Sequence, residues 1–123
     1  RYPTVTGVQT CALPISLHVP GNADGTHFIT QQELELMKPE AVLINTARAS
    51  LIDETAMVQA LRQKRIYGYG TDVFDGEPHM NPEFIGLNNV VCSPHTAAVS
   101  VEAVNTMSHA AVEHLMEYFG VTK

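Results

Sequence analysis

The sequence predicts an α/β fold built on a parallel sheet. Short apolar runs recur at ISLHV (15–19), AVLIN (41–45), IYGYGTDVF (66–74) and NVVCS (89–93), each with the length and composition of a strand. They alternate in the order strand, helix, strand, helix, strand, loop, strand, helix, which implies parallel strands joined by crossovers. AVLIN is almost wholly apolar, as expected of a strand buried on both faces of such a sheet.

The elements follow in order. ISLHV is closed by Pro20 and Gly21, a strand followed by a turn. Thr30 and Glu33 have capping-box spacing, and QQELELM then places Leu34 and Met37 on one helical face. Pro39 ends that helix, because the residue before a proline is pushed away from helical angles. Asp53 caps DETAMVQALRQK, in which Ala56, Met57, Ala60 and Leu61 form an apolar stripe and basic residues gather at the end. Two glycines in IYGYG predict close approach of another backbone or a ligand. From Ser100 a long helix follows, with Val101, Val104, Ala111, Leu115 and Phe119 roughly on one side.

Composition narrows the function. The 123 residues suffice for one domain, and 45% hydrophobic with 16% charged residues is an ordinary globular balance. A net charge of -6 with 7 Lys plus Arg gives no basic stripe for nucleic acid or anionic lipid. No apolar run approaches the roughly 20 residues that span a bilayer. Cys11 and Cys92 make no disulfide framework, so a reducing, cytoplasmic setting is expected. Cys92 lies inside an apolar run and reads as a buried small hydrophobe.

Ligands of open parallel sheets sit beyond the carboxyl ends of the strands. Polar groups concentrate at four such ends: His18 to Pro20, Asn45 to Arg48, Asp72 to Glu77, and Pro94-His95. Arg48 directly follows a buried strand, where a guanidinium fork suits bidentate capture of a carboxylate; its position is equally consistent with a surface arginine. His95 and Glu77 are each ordinary alone. Together, a carboxylate orienting an imidazole makes a proton donor. Asp72 ends an apolar strand and needs a buried partner. His109 and His114 are five apart, the wrong spacing for metal ligands on one helical face, and neither Ser50 nor Ser93 lies in a nucleophile elbow.

At these residues the sequence resembles the D-isomer-specific 2-hydroxyacid dehydrogenases. LHVP, MKPEAVLINTARASLIDETAMVQAL, YGTDVFDGEP and NVVCSPHTA stand in that family's order and spacing, from about Ser16 to near the C-terminus. The resemblance implies the C-terminal half of a Rossmann-type NAD(P)-binding domain over 16–98. It also implies a helix over 99–123 that returns toward a substrate domain and leaves part of its apolar face exposed. Arg48 resembles the family's substrate-carboxylate arginine, Glu77 its catalytic glutamate and His95 its acid/base. Asp72 resembles the residue that holds the nicotinamide carboxamide. Pro20, Thr46, Ala47, Arg48, His95, Ala97 and Ala98 match segments lining the cofactor. NAD or NADP, a small 2-oxo or 2-hydroxy acid, and a homodimeric full-length enzyme of the glyoxylate/hydroxypyruvate reductase branch are implied; phosphoglycerate and D-lactate dehydrogenase-like members are the neighbouring branches. A non-catalytic, corepressor-like NAD-binding protein and an inactive fragment are the alternatives.

Three features depart from the family pattern. Ala49 stands where a glycine usually follows the arginine, and GNADGT is about one residue longer than the common loop, which clouds the mapping of Thr26. The Gly-x-Gly-x-x-Gly phosphate loop does not occur in the 123 residues.

Residues 1–15 are expected to be foreign to the fold. VTGVQTCALPI reads as the conceptual translation of a common short-read sequencing adapter, and the family pattern starts abruptly at Ser16. Resequencing the locus checks this: the eleven codons should be absent from genomic DNA, and finding them there refutes the expectation.

Overall fold

The computed structural model describes residues 14–121. The expectation for residues 1–15 therefore lies, except for Pro14 and Ile15, outside the described residues. Four strands form one parallel sheet in the order β1 (Ile15–Leu17), β2 (Val42–Asn45), β3 (Gly68–Thr71), β4 (Val90–Cys92). The helices are α1 (Gln31–Leu36), α2 (Glu54–Arg62), α3 (Pro82–Ile85) and α4 (Val101–Tyr118), with a 3-10 turn at Ala49–Leu51. The α/β class, the four strands and the long terminal helix match the sequence reading.

The caps are those the sequence predicts. Thr30 and Glu33 close a reciprocal capping box on α1, and Asp53 accepts the Ala56 N–H at 3.0 Å at the start of α2. Each satisfies an amide that the first helical turn leaves without a partner. The short α3 is an addition. Its signal was Asn81-Pro82, a capping side chain followed by proline at the first helical position.

Strand register explains how the core is made. Ile15 and Leu17, Leu43 and Asn45, Tyr69 and Thr71, and Val90 and Cys92 lie in register on one face. There Leu17, Leu43 and Tyr69 join Leu34, Met57, Val58, Leu61 and Phe84 in one buried cluster. The opposite face carries Ser16, Ile44, Gly70 and Val91 in register, with Ile44 half-buried and Val91 75% exposed. AVLIN is thus fully buried on one face and half-buried on the other, which corrects the expectation for that strand. Val58 joins the predicted stripe of α2, because a helix packed on both the sheet and α1 buries a wider arc. Helix α4 buries none of its residues, and Val101, Leu115 and Phe119 stay 74%, 58% and 70% exposed.

The glycines of β3 divide. A Cβ on Gly68 would lie 3.2 Å from the Asn89 backbone oxygen, so close backbone approach explains that glycine. At Gly70 the nearest contact would be an ordinary 3.8 Å to Ile44.

Leu43 is 0% exposed at the centre of the cluster. Leu43→Ala should cost about 2–5 kcal/mol, read as a lower urea midpoint with little change in the slope.

Candidate active site at the carboxyl edge of the sheet

The carboxyl ends of β2, β3 and β4 carry the polar groups, each shaped by local bonding. At the end of β2, Asn45 is fully buried. Its Oδ1 accepts the Ala47 N–H at 3.1 Å and its Nδ2 donates to the Arg48 carbonyl at 2.9 Å. An asparagine bonding to its own backbone two residues on makes a tight turn, here the turn that presents Thr46 and Arg48. Ala49 follows without a left-handed backbone angle, so the conformation requires no glycine at this position.

Beyond β3, Asp72 is 3% exposed and gathers the next loop. Its Oδ1 accepts the Ser93 hydroxyl at 2.6 Å and the Thr96 N–H at 2.8 Å, and its Oδ2 accepts the Ala97 N–H at 2.8 Å. Burial pushes the Asp72 carboxyl up, but the donors on Ser93, Ala97 and Thr96 outweigh it and hold the group below its ordinary value. His95 sits inside this loop at φ 53°, a left-handed conformation that costs a non-glycine residue about 1–3 kcal/mol. The bonds to Asp72 on either side hold it there.

His95 and Glu77 meet. Nδ1 of His95 lies 2.8 Å from Oε2 of Glu77, and Oε1 of Glu77 accepts the Phe74 N–H at 3.0 Å. The His95 bond, then the Phe74 bond, holds the Glu77 carboxyl below its ordinary value. An ionised Glu77 accepts a hydrogen bond from the Nδ1–H, which leaves Nε2 as the ring nitrogen that the carboxylate does not engage. The pair borders a hollow of about 480 Å³ shared with Phe74, Met80, Cys92 and Pro94. Cys92 is half-buried rather than enclosed, and burial raises its thiol.

The other predicted residues group separately. Pro20, Thr46, Ala47 and Arg48 line a second hollow of about 350 Å³ with His18 and Val19. There the Arg48 side chain is exposed and its Nη1 donates to the Ala47 carbonyl at 2.6 Å. Ala97 acts through its backbone N–H, and Ala98 is exposed on the same loop. The sequence reading missed the turn-forming role of Asn45, whose signal was the Asn-x-x-Arg run after an apolar strand. Ser93, weighed as a nucleophile, is instead a donor to Asp72. Glu54, which the sequence reading does not single out, bonds the loop that carries Glu77.

Comparison with known proteins decides the family. The pattern of the D-isomer specific 2-hydroxyacid dehydrogenase NAD binding domain matches residues 7–97, so the match begins earlier than the Ser16 start expected from the motifs. The chain belongs to this dehydrogenase family. It is 42% identical over 104 residues to a glyoxylate reductase of Thermococcus litoralis, covering 85% of this chain and 31% of that relative. The NADPH-dependent glyoxylate/hydroxypyruvate reductase of Sinorhizobium meliloti, solved with NADP and malonate, superposes with a TM-score of 0.85 at 36% identity, covering 96% of this chain and 37% of that one. An acyclic imino acid reductase solved with NADPH and D-Arg superposes at 0.79 with 46% identity, covering 87% of this chain and 34% of that one. The chain therefore spans about a third of the length of these 2-hydroxyacid dehydrogenase relatives. Among the described residues no helix is long and apolar enough to cross a membrane, and no three His, Cys, Asp or Glu side chains gather as metal ligands.

The three donors that Asp72 collects make acid stability depend on it. Because its folded value lies below the ordinary 3.8, its contribution is present above that pH and is lost as pH falls through the folded value. Urea midpoints should fall on acidification. In Asp72→Asn the midpoint should start lower near neutrality and change less in acid; identical curves for the two proteins contradict this.

Proposed function

We propose that the whole protein is an NAD(P)-dependent oxidoreductase interconverting a D-2-hydroxy acid and its 2-oxo acid, with glyoxylate- or hydroxypyruvate-sized substrates favoured. The observation that carries this reading is the 2.8 Å contact between His95 Nδ1 and Glu77 Oε2 beside the carboxyl edge of a parallel sheet. A carboxylate-oriented imidazole is a general acid/base, and a site that reduces a carbonyl must deliver a proton to its oxygen. Support for the substrate class comes from the glyoxylate reductase relative and from the reductase solved with malonate.

The chemistry of the donor set fits a nicotinamide coenzyme. Three donors occupy Asp72, and a carboxylate has about four acceptor positions, so one remains for a carboxamide N–H. Thr46, Ala47, Pro20 and the 95–98 backbone would hold the nicotinamide end. Bound there, the coenzyme supplies a hydride to the keto carbon or accepts one from the alcohol carbon.

The remaining work falls to this chain's side chains. In the reductive direction Arg48 exchanges its bond to the Ala47 carbonyl for the substrate carboxylate and aims its positive charge at the carbonyl. His95 Nε2 donates the proton that turns the developing alkoxide into a hydroxyl, while Glu77 stabilises the ring through Nδ1. In the oxidative direction the same nitrogen takes that proton back. Residues 16–98 would then be the second half of the coenzyme domain, residues 99–123 would lead back to a substrate domain, and the full enzyme would be a homodimer.

In the full-length protein, His95→Gln should lower kcat for 2-oxo-acid reduction by about 10²–10⁴-fold while NAD(P)H binding persists. Arg48→Gln should act mainly on KM for the acid. Normal turnover in His95→Gln removes His95 as the acid/base.

A further inference from the structure

Glu54 opens α2, where an acid is expected simply because it complements the helix dipole. The half-buried side chain does more than that. Its Oε1 accepts the Asp75 N–H at 3.2 Å and its Oε2 accepts from Asn81 Nδ2 at 3.2 Å. Both donors belong to the loop that carries Glu77, one at each end. Glu83 and Glu102 share the first-turn setting on α3 and α4. Their side chains instead pair with Arg62, for Glu83, and bond the Ser100 hydroxyl, for Glu102.

We propose that Glu54 is the positioning residue of the acid/base pair, fastening loop 75–81 at both ends so that Glu77 stays against His95. This rests on the reading of Glu77 and His95 as that pair. Asp75 to His79 are all exposed, so the loop has no core of its own to hold it. Inside it, the His79 N–H bonds the Gly76 carbonyl at 3.2 Å and Gly76 sits at φ 76°. Those contacts shape the tip but tie it to nothing else. Besides the Phe74 N–H bond to Glu77, the fastening comes from α2, which is anchored in the core through Met57, Val58 and Leu61. Asn81 serves both sides: Oδ1 caps α3 by accepting the Glu83 N–H at 3.0 Å, while Nδ2 reaches Glu54. Bonds to an ionised acceptor are stronger than neutral ones, so two of them can hold an exposed segment still. His95 and Asp72 are the charges that act on Glu77, and Glu54, Asp75 and His79 are the other titratable groups on or bonded to its loop among the described residues.

The test uses the full-length protein and reads Glu77 itself, by its carboxyl carbon NMR shift across pH, with amide exchange at Asp75. Glu54→Gln keeps the side-chain size but has one acceptor oxygen for two donors. Asn81→Ser keeps an oxygen to cap α3 and removes the donor to Glu54. His95→Gln sets the limit for a released Glu77, and Thr55→Ala, an exposed neighbour on α2, is the control. Both Glu54→Gln and Asn81→Ser should move the Glu77 titration up toward that limit and speed Asp75 exchange about tenfold. The control should do neither. A Glu77 titration unmoved in both variants overturns the proposal, even if the urea midpoint falls, because Glu54 then acts on stability alone. Should Glu54→Gln not fold, Asn81→Ser decides by the same readout. If His95→Gln leaves the Glu77 titration in place, the pairing of Glu77 with His95 fails, and the proposal with it.

Discussion

One buried carboxylate fixes the geometry at the carboxyl edge of this sheet. Asp72 collects the Ser93 hydroxyl and the Thr96 and Ala97 amides, and these bonds span the residue whose backbone is left-handed, His95. Such a conformation persists only where the surroundings over-determine it. The arrangement also satisfies Asp72, since an ionised carboxylate this buried is costly unless donors surround it. Each side of the contact supplies what the other lacks. Placing His95 at the end of β4 is thus a consequence of where β3 ends.

From that fixed point the contact between His95 and Glu77 is assembled across elements. Asp72 anchors the loop bearing His95, and Glu54 on α2 bonds the loop bearing Glu77. The two loops meet through a contact between side chains that are 57% and 36% exposed. In water such an exchange is worth little in stability. Its contribution is to orientation, because one ring nitrogen is assigned to the carboxylate. Arg48 lies in a different hollow, on a turn shaped by Asn45. The Arg48 turn and the His95–Glu77 contact are therefore shaped by separate local structures.

The core has one side. Helices α1, α2 and α3 contribute Leu34, Met57, Val58, Leu61 and Phe84 to the same cluster of buried side chains, while Val91 on the other face and the apolar residues of α4 stay exposed. This follows from the register, which puts alternate residues on opposite faces, and from crossovers that cover a single face. The site depends on the covered face, since α2 carries both the core contacts and Glu54.

The sequence by itself determined the elements and the candidate residues. Apolar runs, caps such as Thr30 with Glu33 and Asp53, and polar strand ends are local signals, set by backbone hydrogen bonding and side-chain period. They gave the α/β class, and they singled out Arg48, Asp72, Glu77 and His95 before any contact was known. What tertiary structure decided is which of these residues meet and what holds them. The bond from Glu77 to His95 spans 18 residues, that from Thr96 to Asp72 spans 24, and that from Asn81 to Glu54 spans 27. No local period encodes such pairings, because they arise only when parallel strands bring their carboxyl ends side by side. For the same reason Glu54 does not stand out in the sequence, and Ser93 shows there only that it lies outside a nucleophile elbow. Both acquire their roles from partners that lie distant in the chain and adjacent in the fold.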